Sequence, residues 1–268
     1  MSREWLRVWA RKVAGRRLSR SLHAFVRSSS LYDLPIAVCE PGRSKIVVLA
    51  PHMDDEVLGC GGTIVRHVLA QADVTVVFLT DGRRGAGDAA KREHSADPYD
   101  IVRIRKLEAQ RAAHIMGVRS LKFLDAEDSR LRYDTGVANR LREVLLSEQP
   151  EIVYLPFFLE HHPDHRAAND VLFAATRNTR LRFECRGYEV WTPLFPNCLV
   201  RIDETMDVKQ RALRCYTSQL AIHDYVHCGA GLNAYRAMSL PSHSGRFAEA
   251  FHALELADYR RLHSALLR

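Results

Sequence analysis

The chain has 268 residues, 47% of them hydrophobic and 26% charged, which is ordinary globular material and enough for one large α/β domain. No apolar run approaches the roughly 18 to 20 residues that span a bilayer, and arginines interrupt the N-terminus where a secretion signal carries its apolar core, so a cytoplasmic protein is expected. The net charge of +7 suggests nucleic acid only until it is located: residues 1–30 hold eight Arg or Lys against the single acid Glu4, leaving 31 basic and 31 acidic residues in a neutral body that is not expected to bind nucleic acid.

Residues 1–35 read as a basic, amphipathic helical arm, and residues 36–268 as one domain. On a helical wheel Trp5, Leu6, Trp9 and Val13 fall together while Arg3, Arg7 and Arg11 face away, the pattern of an interfacial helix with aromatic anchors. Peripheral contact with the inner face of the membrane through residues 1–30 is one expectation for this arm. Packing on the body, or a disordered tail, are the others.

Beyond the connector "SSSLYDLP", apolar β-type runs alternate with helix-length amphipathic stretches: "KIVVLA", "EVLGCGGTIVRHVLAQ", "VTVVFLT", "YDIVRIRKLEAQRAAHIMG", "LKFLD", "VANRLREVLLSEQ" and "EIVYLPF". Near-continuous Val/Ile/Leu strands separated by helices predict a Rossmann-like, mostly parallel sheet with helices on both faces, whose ligand crevice lies beyond the carboxyl ends of the strands. The last third adds strand-like "GYEVWT" and "CLVRI" and one helix over "DVKQRALRCYTSQL". Residues 82–100, glycine-rich, charged and without a period, read as a surface loop beside the rim. The six cysteines, Cys39, Cys60, Cys185, Cys198, Cys215 and Cys228, contain no Cys-x-x-Cys pair and read as buried or idle thiols.

The chemistry gathers where strands end. "VVLAPHMDDEVLGCGG" runs from a buried strand into His52, Asp54, Asp55 and Glu56, "TDGRRG" follows the next strand, and "FLEHHPDH" follows "EIVYLPF". Charged groups at the mouth of a buried strand need a partner charge or a metal. Two imidazoles and a carboxylate can hold zinc in an open site that keeps a place for water. His52 and Asp55 at a spacing of three, with His161, His162 and His165 in the later loop, supply such a set. Each motif alone has a plainer reading, "HHPDH" as a surface loop and "HMDDE" as a helix start favoured by the macrodipole. Their meeting at one sheet edge makes a shared metal site the stronger reading.

"APHMDDEVLGCGGTI" together with "HHPDHRAA" resembles the LmbE/PIG-L family of zinc-dependent N-deacetylases, and "FLTDG", "RKLEAQRAAHIMG", "FLDAED" and "KQRALRCYTSQ" follow in the family's order over residues 45–255. The resemblance implies His52, Asp55 and His165 as Zn2+ ligands, with Fe2+ or another divalent ion as the alternative metal. It further implies Asp54 as general base, His162 as an imidazolium facing the developing oxyanion, and Asp164 as its orienter. Arg105 and Asp128 match positions that hold sugar hydroxyls. Met53 stands where the family motif has proline, a change of backbone rigidity that touches no ligand. Glu56 reads as a structural helix-end acid, His161 as a neighbour without a metal role, and His223, His227, His243 and His252 as core or surface residues. The expected reaction is removal of an acetyl or other acyl group from an N-acetylated amino sugar or glycoconjugate. The alternative is a metal-dependent hydratase or lyase acting on a small anion, for which Arg83 and Arg84 are suited.

Overall fold

The computed structural model describes residues 36–85, 98–134, 136–241 and 244–267; the arm expected over residues 1–35, most of the 82–100 loop and His243 lie outside them. The described elements are β1 (Ala37–Val38), β2 (Lys45–Ala50), α1 (Asp55–Leu69), β3 (Asp73–Thr80), α2 (Pro98–Met116), β4 (Ser120–Ala126), a 3-10 turn (Leu131–Tyr133), α3 (Val137–Glu148), β5 (Ile152–Pro156), α4 (Pro163–Ala175), β6 (Glu184–Tyr188), β7 (Cys198–Arg201), α5 (Met206–Leu213), α6 (Thr217–Leu220), α7 (Tyr225–Ala237), β8 (Ala248–Glu255) and α8 (Leu256–Leu267). No helix among the described residues is long and apolar enough to cross a membrane.

The strands form one sheet in the order β1-β7-β8-β6-β5-β2-β3-β4, parallel throughout except at β8, which runs antiparallel to β6 and β7. The β-branched runs are buried on both faces. Val47, Leu49, Val77, Leu79, Val153 and Leu155 enter one core, shared with Leu141 and Leu145 of α3. Their alternating neighbours Ile46, Val48, Val76, Phe78 and Tyr154 enter the other, shared with Ile64 of α1 and Ala109, Ala112 and Met116 of α2. That alternation is the two-residue period of a strand covered on both sides. From β2 the chain steps to β3 and β4, then returns to place β5 on the opposite flank of β2, so the order reverses between β2 and β5. A crevice opens at such a switch point, and the loops after β2 and β5 carry the two histidine motifs.

Helix α1 is kinked: Cys60 leaves helical geometry at φ −148°, ψ 23°. The break frees the Leu58 carbonyl and the amides of Gly62 and Thr63, and a buried ion pair satisfies them. Glu249 accepts from Gly62 N (2.9 Å) and Thr63 N (2.7 Å), while Lys209 Nζ donates to Leu58 O (2.8 Å), Asn233 Oδ1 (2.9 Å) and Glu249 Oε1 (2.7 Å). The glycines of "GCGG" allow close packing here. A Cβ on Gly59 would lie 2.2 Å from the Tyr188 ring, whose hydroxyl donates to Leu49 O (2.8 Å).

Three expectations change. Strand β6 stops at Tyr188, so Trp191 and Thr192 lie in a loop and not in the strand expected over "GYEVWT". The helix expected over residues 207–220 is two helices, α5 and α6, because Glu108 captures Thr217 Oγ1 (2.8 Å) and Ser218 N (2.8 Å) and starts a new turn there. Cys39 and Cys198 are disulfide-bonded rather than idle thiols: the β1–β7 pairing, with Ala37 opposite Cys198, brings their Cα atoms to 6.0 Å.

Candidate active site

The turn between β2 and α1 is shaped from both sides. Thr80 at the end of β3 donates to Pro51 O (2.7 Å), and Arg105 of α2, 2% exposed, donates to Met53 O (2.7 Å) and Gly82 O (3.2 Å). Met53 is itself fully buried, its carbonyl fixed by that guanidinium. Asp54 sits at φ 139°, ψ −28°, a conformation that costs an L-residue on the order of 1–3 kcal/mol. The strain is held by Glu56, which accepts from Asp54 N (3.1 Å), and by the first amides of α1, Val57 N and Leu58 N, which bond Asp54 O. Asp54 thereby lines the crevice, 3.7 Å from Arg105 Nη2.

Around this turn the two motifs meet. Asp55 Oδ2 lies 3.3 Å from His52 Nδ1 and 3.2 Å from His165 Nε2, bridging the two imidazoles across β2 and β5. The ring centroids of His52, His162 and His165 are 4.8 to 5.4 Å apart. Two sets bring possible metal-ligand atoms within 4.8 Å of one another, His52/His162/His165 and His52/Asp128/Asp164. His52 Nε2 also faces Asp164 Oδ2 (3.2 Å) and Asp128 Oδ1 (3.4 Å). All eight residues singled out from the sequence therefore share one locality.

Their partners refine the expected roles. The Asp164 carboxylate accepts from Ser129 N (2.7 Å) and Leu131 N (3.2 Å), and it is the Asp164 amide that donates to His162 Nδ1 (3.2 Å). With Nδ1 accepting, the proton of a neutral His162 sits on Nε2. Burial, with His52 and His165 adding repulsion, lowers the His162 pKa to about 4 and favours the neutral ring. Asp128 accepts from Arg84 N (2.9 Å) and Ser129 Oγ (3.1 Å).

Burial opposes charge on His52, but Asp128, Asp164 and Asp55 outweigh it and hold its pKa well above the usual value. His165 is raised to about 9, burial being overcome by Asp55 and Glu160. Asp55, despite burial, is kept well below the carboxylate range by His165 and His52. Burial pushes Asp54 up to about 7 against the pull of Arg105, and Glu56 up to about 8 despite the Tyr216 hydroxyl donating to it. The site thus favours positive charge at His52 and His165. His165 is 0% exposed, yet neither ring nitrogen finds a hydrogen bond of good geometry; Nε2 only approaches Asp55, and Nδ1 lies 3.6 Å from Glu160 Oε2. Buried nitrogens without hydrogen bonds, beside a carboxylate in an acid-rich pocket, fit a borderline divalent cation such as zinc.

Glu160 is the residue that the sequence reading passed over. It is 1% exposed, its Oε1 accepts from Val190 N (2.6 Å), Trp191 N (2.8 Å) and Thr192 N (3.1 Å), and its Oε2 accepts from His161 N (3.1 Å) while facing His165. These bonds replace strand pairing after Tyr188. The available signal was an acid directly before "HHPDH" with its candidate ligands, the place where a carboxylate can orient an imidazole.

The crevice has a volume of about 260 Å³ and is lined by His52, Asp54, Asp55, Arg84, Arg105, Asp128 and His162, with Trp191, Ile222, His223 and Tyr225 along one side. A larger hollow lies at the opposite, amino edge of the sheet beside Lys45, Asp73 and Arg119, away from all of these groups.

Residues 47–176 match the family described as PIG-L, GlcNAc-PI de-N-acetylase. Diacetylchitobiose deacetylase of Thermococcus kodakarensis is 32% identical over 211 residues, 72% of this chain and 77% of that protein. 4-Oxalmesaconate hydratase of Pseudomonas putida is 26% identical over 75% of this chain and 85% of its own length. Among solved structures, N,N'-diacetylchitobiose deacetylase from Pyrococcus horikoshii, complexed with its inhibitor MPG, superposes with a TM-score of 0.67 at 26% identity, covering 81% of this chain and 86% of that one. With the sheet order, the switch-point crevice and the paired histidine motifs in place, the chain belongs to the PIG-L (LmbE-like) family.

Proposed function

We propose that this protein hydrolyses the acetamide of an N-acetylglucosamine-containing substrate, and that residues 36–268 form the catalytic unit. The observation that carries the reading is the placing of strained, buried Asp54 beside Asp55, which bridges His52 and His165, in a chain similar to deacetylases over most of its length. His52, Asp55 and His165 would hold the metal. A zinc ion there supplies a Lewis acid for the amide carbonyl and lowers the pKa of water to about 7.

The chain's own groups do the rest. Asp54, raised by burial to about 7 and steadied by Arg105, takes the proton of the attacking water and is poised to pass it to the departing amine. His162 donates from Nε2 to the carbonyl oxygen as negative charge develops, and the Asp164 amide fixes the ring for that task. Arg105 and Asp128, both lining the crevice, face the sugar hydroxyls. Glu56, its carboxyl tied to Tyr216 and the Asp54 amide, holds the turn.

A second reading, water addition to a carbon–carbon double bond of a small anion, draws support from the hydratase relative and from Arg84 in the crevice. One set of measurements separates them: acetate release from acetylated sugars against loss of diene absorbance. For the first reading, His52→Ala, Asp55→Ala and His165→Ala each lose stoichiometric zinc, whereas Asp54→Asn keeps zinc and loses about 100-fold or more in kcat. An Asp54→Asn enzyme with near wild-type turnover removes Asp54 as the base, and retention of zinc by any of the three alanine variants removes that residue as a ligand.

A further inference from the structure

We propose that Trp191 and Tyr225 form a ring-binding subsite for the portion of the substrate next to the reacting amino sugar, taking a second sugar ring through its apolar C–H face. The inference deepens the function proposed above and rests on it. The crevice of about 260 Å³ falls just below the range of about 300–1,000 Å³ that encloses drug-sized ligands. It therefore takes a compact group, and any larger substrate extends past its rim.

Aromatic surface forms one side of that crevice and at Trp191 runs out to solvent. Trp191 is 50% exposed, and its ring lies 6.0 Å from Tyr225 and 6.1 Å from His223, edge to face at 87° and 79°. Ile222, 41% exposed, continues the apolar wall. Single exposed hydrophobics are common on protein surfaces, but a contiguous aromatic and aliphatic wall in a polar catalytic crevice marks a binding surface. Such rings combine a broad apolar face with little conformational freedom.

The wall is also fixed relative to the chemistry. The carboxylate that accepts three successive amides across Trp191 is the one that faces His165, so Glu160 ties the indole's backbone to the proposed metal ligand. Behind it, Arg236 Nε donates to Glu189 Oε1 (2.8 Å), and Glu189 Oε2 accepts from Leu194 N (2.9 Å), closing the far end of the loop. An exposed tryptophan on a backbone held at both ends is preorganised, which lowers the ordering cost of binding.

The test uses the full-length, zinc-loaded protein with N-acetylglucosamine and diacetylchitobiose, comparing wild type, Trp191→Ala and Trp191→Phe. The expected result is that the kcat/KM preference for the two-ring over the one-ring substrate falls about tenfold in Trp191→Ala, through KM, and that phenylalanine recovers most of it. A preference within twofold of wild type in the folded alanine variant overturns the subsite. Should Trp191→Ala fail to fold, a preference within twofold of wild type in Tyr225→Ala overturns it equally. If wild type releases acetate from neither sugar, the hydrolytic reading fails on its own. Calorimetric titration with glucosamine and chitobiose then decides the subsite: tighter binding of two rings, lost in Trp191→Ala, supports it, and equal or absent binding overturns it.

Discussion

Lys209→Met removes an ammonium that is 0% exposed and leaves three acceptors without it: the Leu58 carbonyl freed by the kink of α1, Asn233 Oδ1 and Glu249 Oε1. Methionine keeps the stem's length, so little cavity is created and the loss is electrostatic. Breaking a buried pair from one side costs about 3–5 kcal/mol. Glu249 retains the Gly62 and Thr63 amides, which places the expected loss near the lower end, about 3 kcal/mol, a large fraction of the roughly 5–15 kcal/mol that holds a domain folded. Urea unfolding followed by far-UV circular dichroism reads this as a lower midpoint at an unchanged slope. Glu249→Gln alone should also destabilise, and the double variant should cost at least about 1 kcal/mol less than the two singles added together. The zinc content of the folded single variant should equal wild type, because Lys209 bonds no residue of the proposed metal site. A loss under about 1 kcal/mol, or strict additivity, would refute the claim that this pair holds the two halves of α1 together.

Glu160→Gln should weaken zinc affinity by about 10- to 100-fold, the scale for removing a carboxylate that orients a ligating imidazole; competition with a chromophoric chelator measures it, and unchanged affinity rejects the role. His67 gives a pH signature. Burial lowers its pKa to about 4, and the neutral ring is bracketed by Gly42 O (3.0 Å) and the Tyr154 hydroxyl (2.9 Å). Unfolding returns it to about 6.5, so the unfolded chain binds the extra proton and the fold loses up to about 3 kcal/mol as pH falls from about 6.5 to 4. Denaturation series at pH 7.5 and 5, compared with His67→Gln, should show a smaller acid loss in the variant; equal losses would dismiss His67 as a source of the acid sensitivity.

What was legible in the sequence followed local periods. The runs "KIVVLA" and "VTVVFLT" bury both faces and read directly as parallel strands, and the two histidine motifs announce themselves by spacing at strand ends. Lys209 and Glu249 carry no such signal, since they meet across 40 residues to satisfy groups released by a kink at Cys60, itself invisible to periodicity. Cys39 and Cys198 are 159 positions apart, and only the β1–β7 register unites them. Trp191 reads as a strand residue because aromatic and β-branched neighbours favour strands; the three amides taken by Glu160 override that preference. The bonding of the Asp164 carboxylate depends on the amides of Ser129 and Leu131, in a loop whose sequence gives no hint of it.

The backbone of Asp54 has a consequence for anyone who sets out to make this protein hardier. Its φ of 139° suits glycine, so Asp54→Gly relieves strain of on the order of 1–3 kcal/mol. A library ranked by melting temperature alone would enrich that substitution and discard the proposed base with it. Selection for heat resistance and selection for turnover therefore pull in opposite directions at this position, and only a screen that scores both will keep the aspartate.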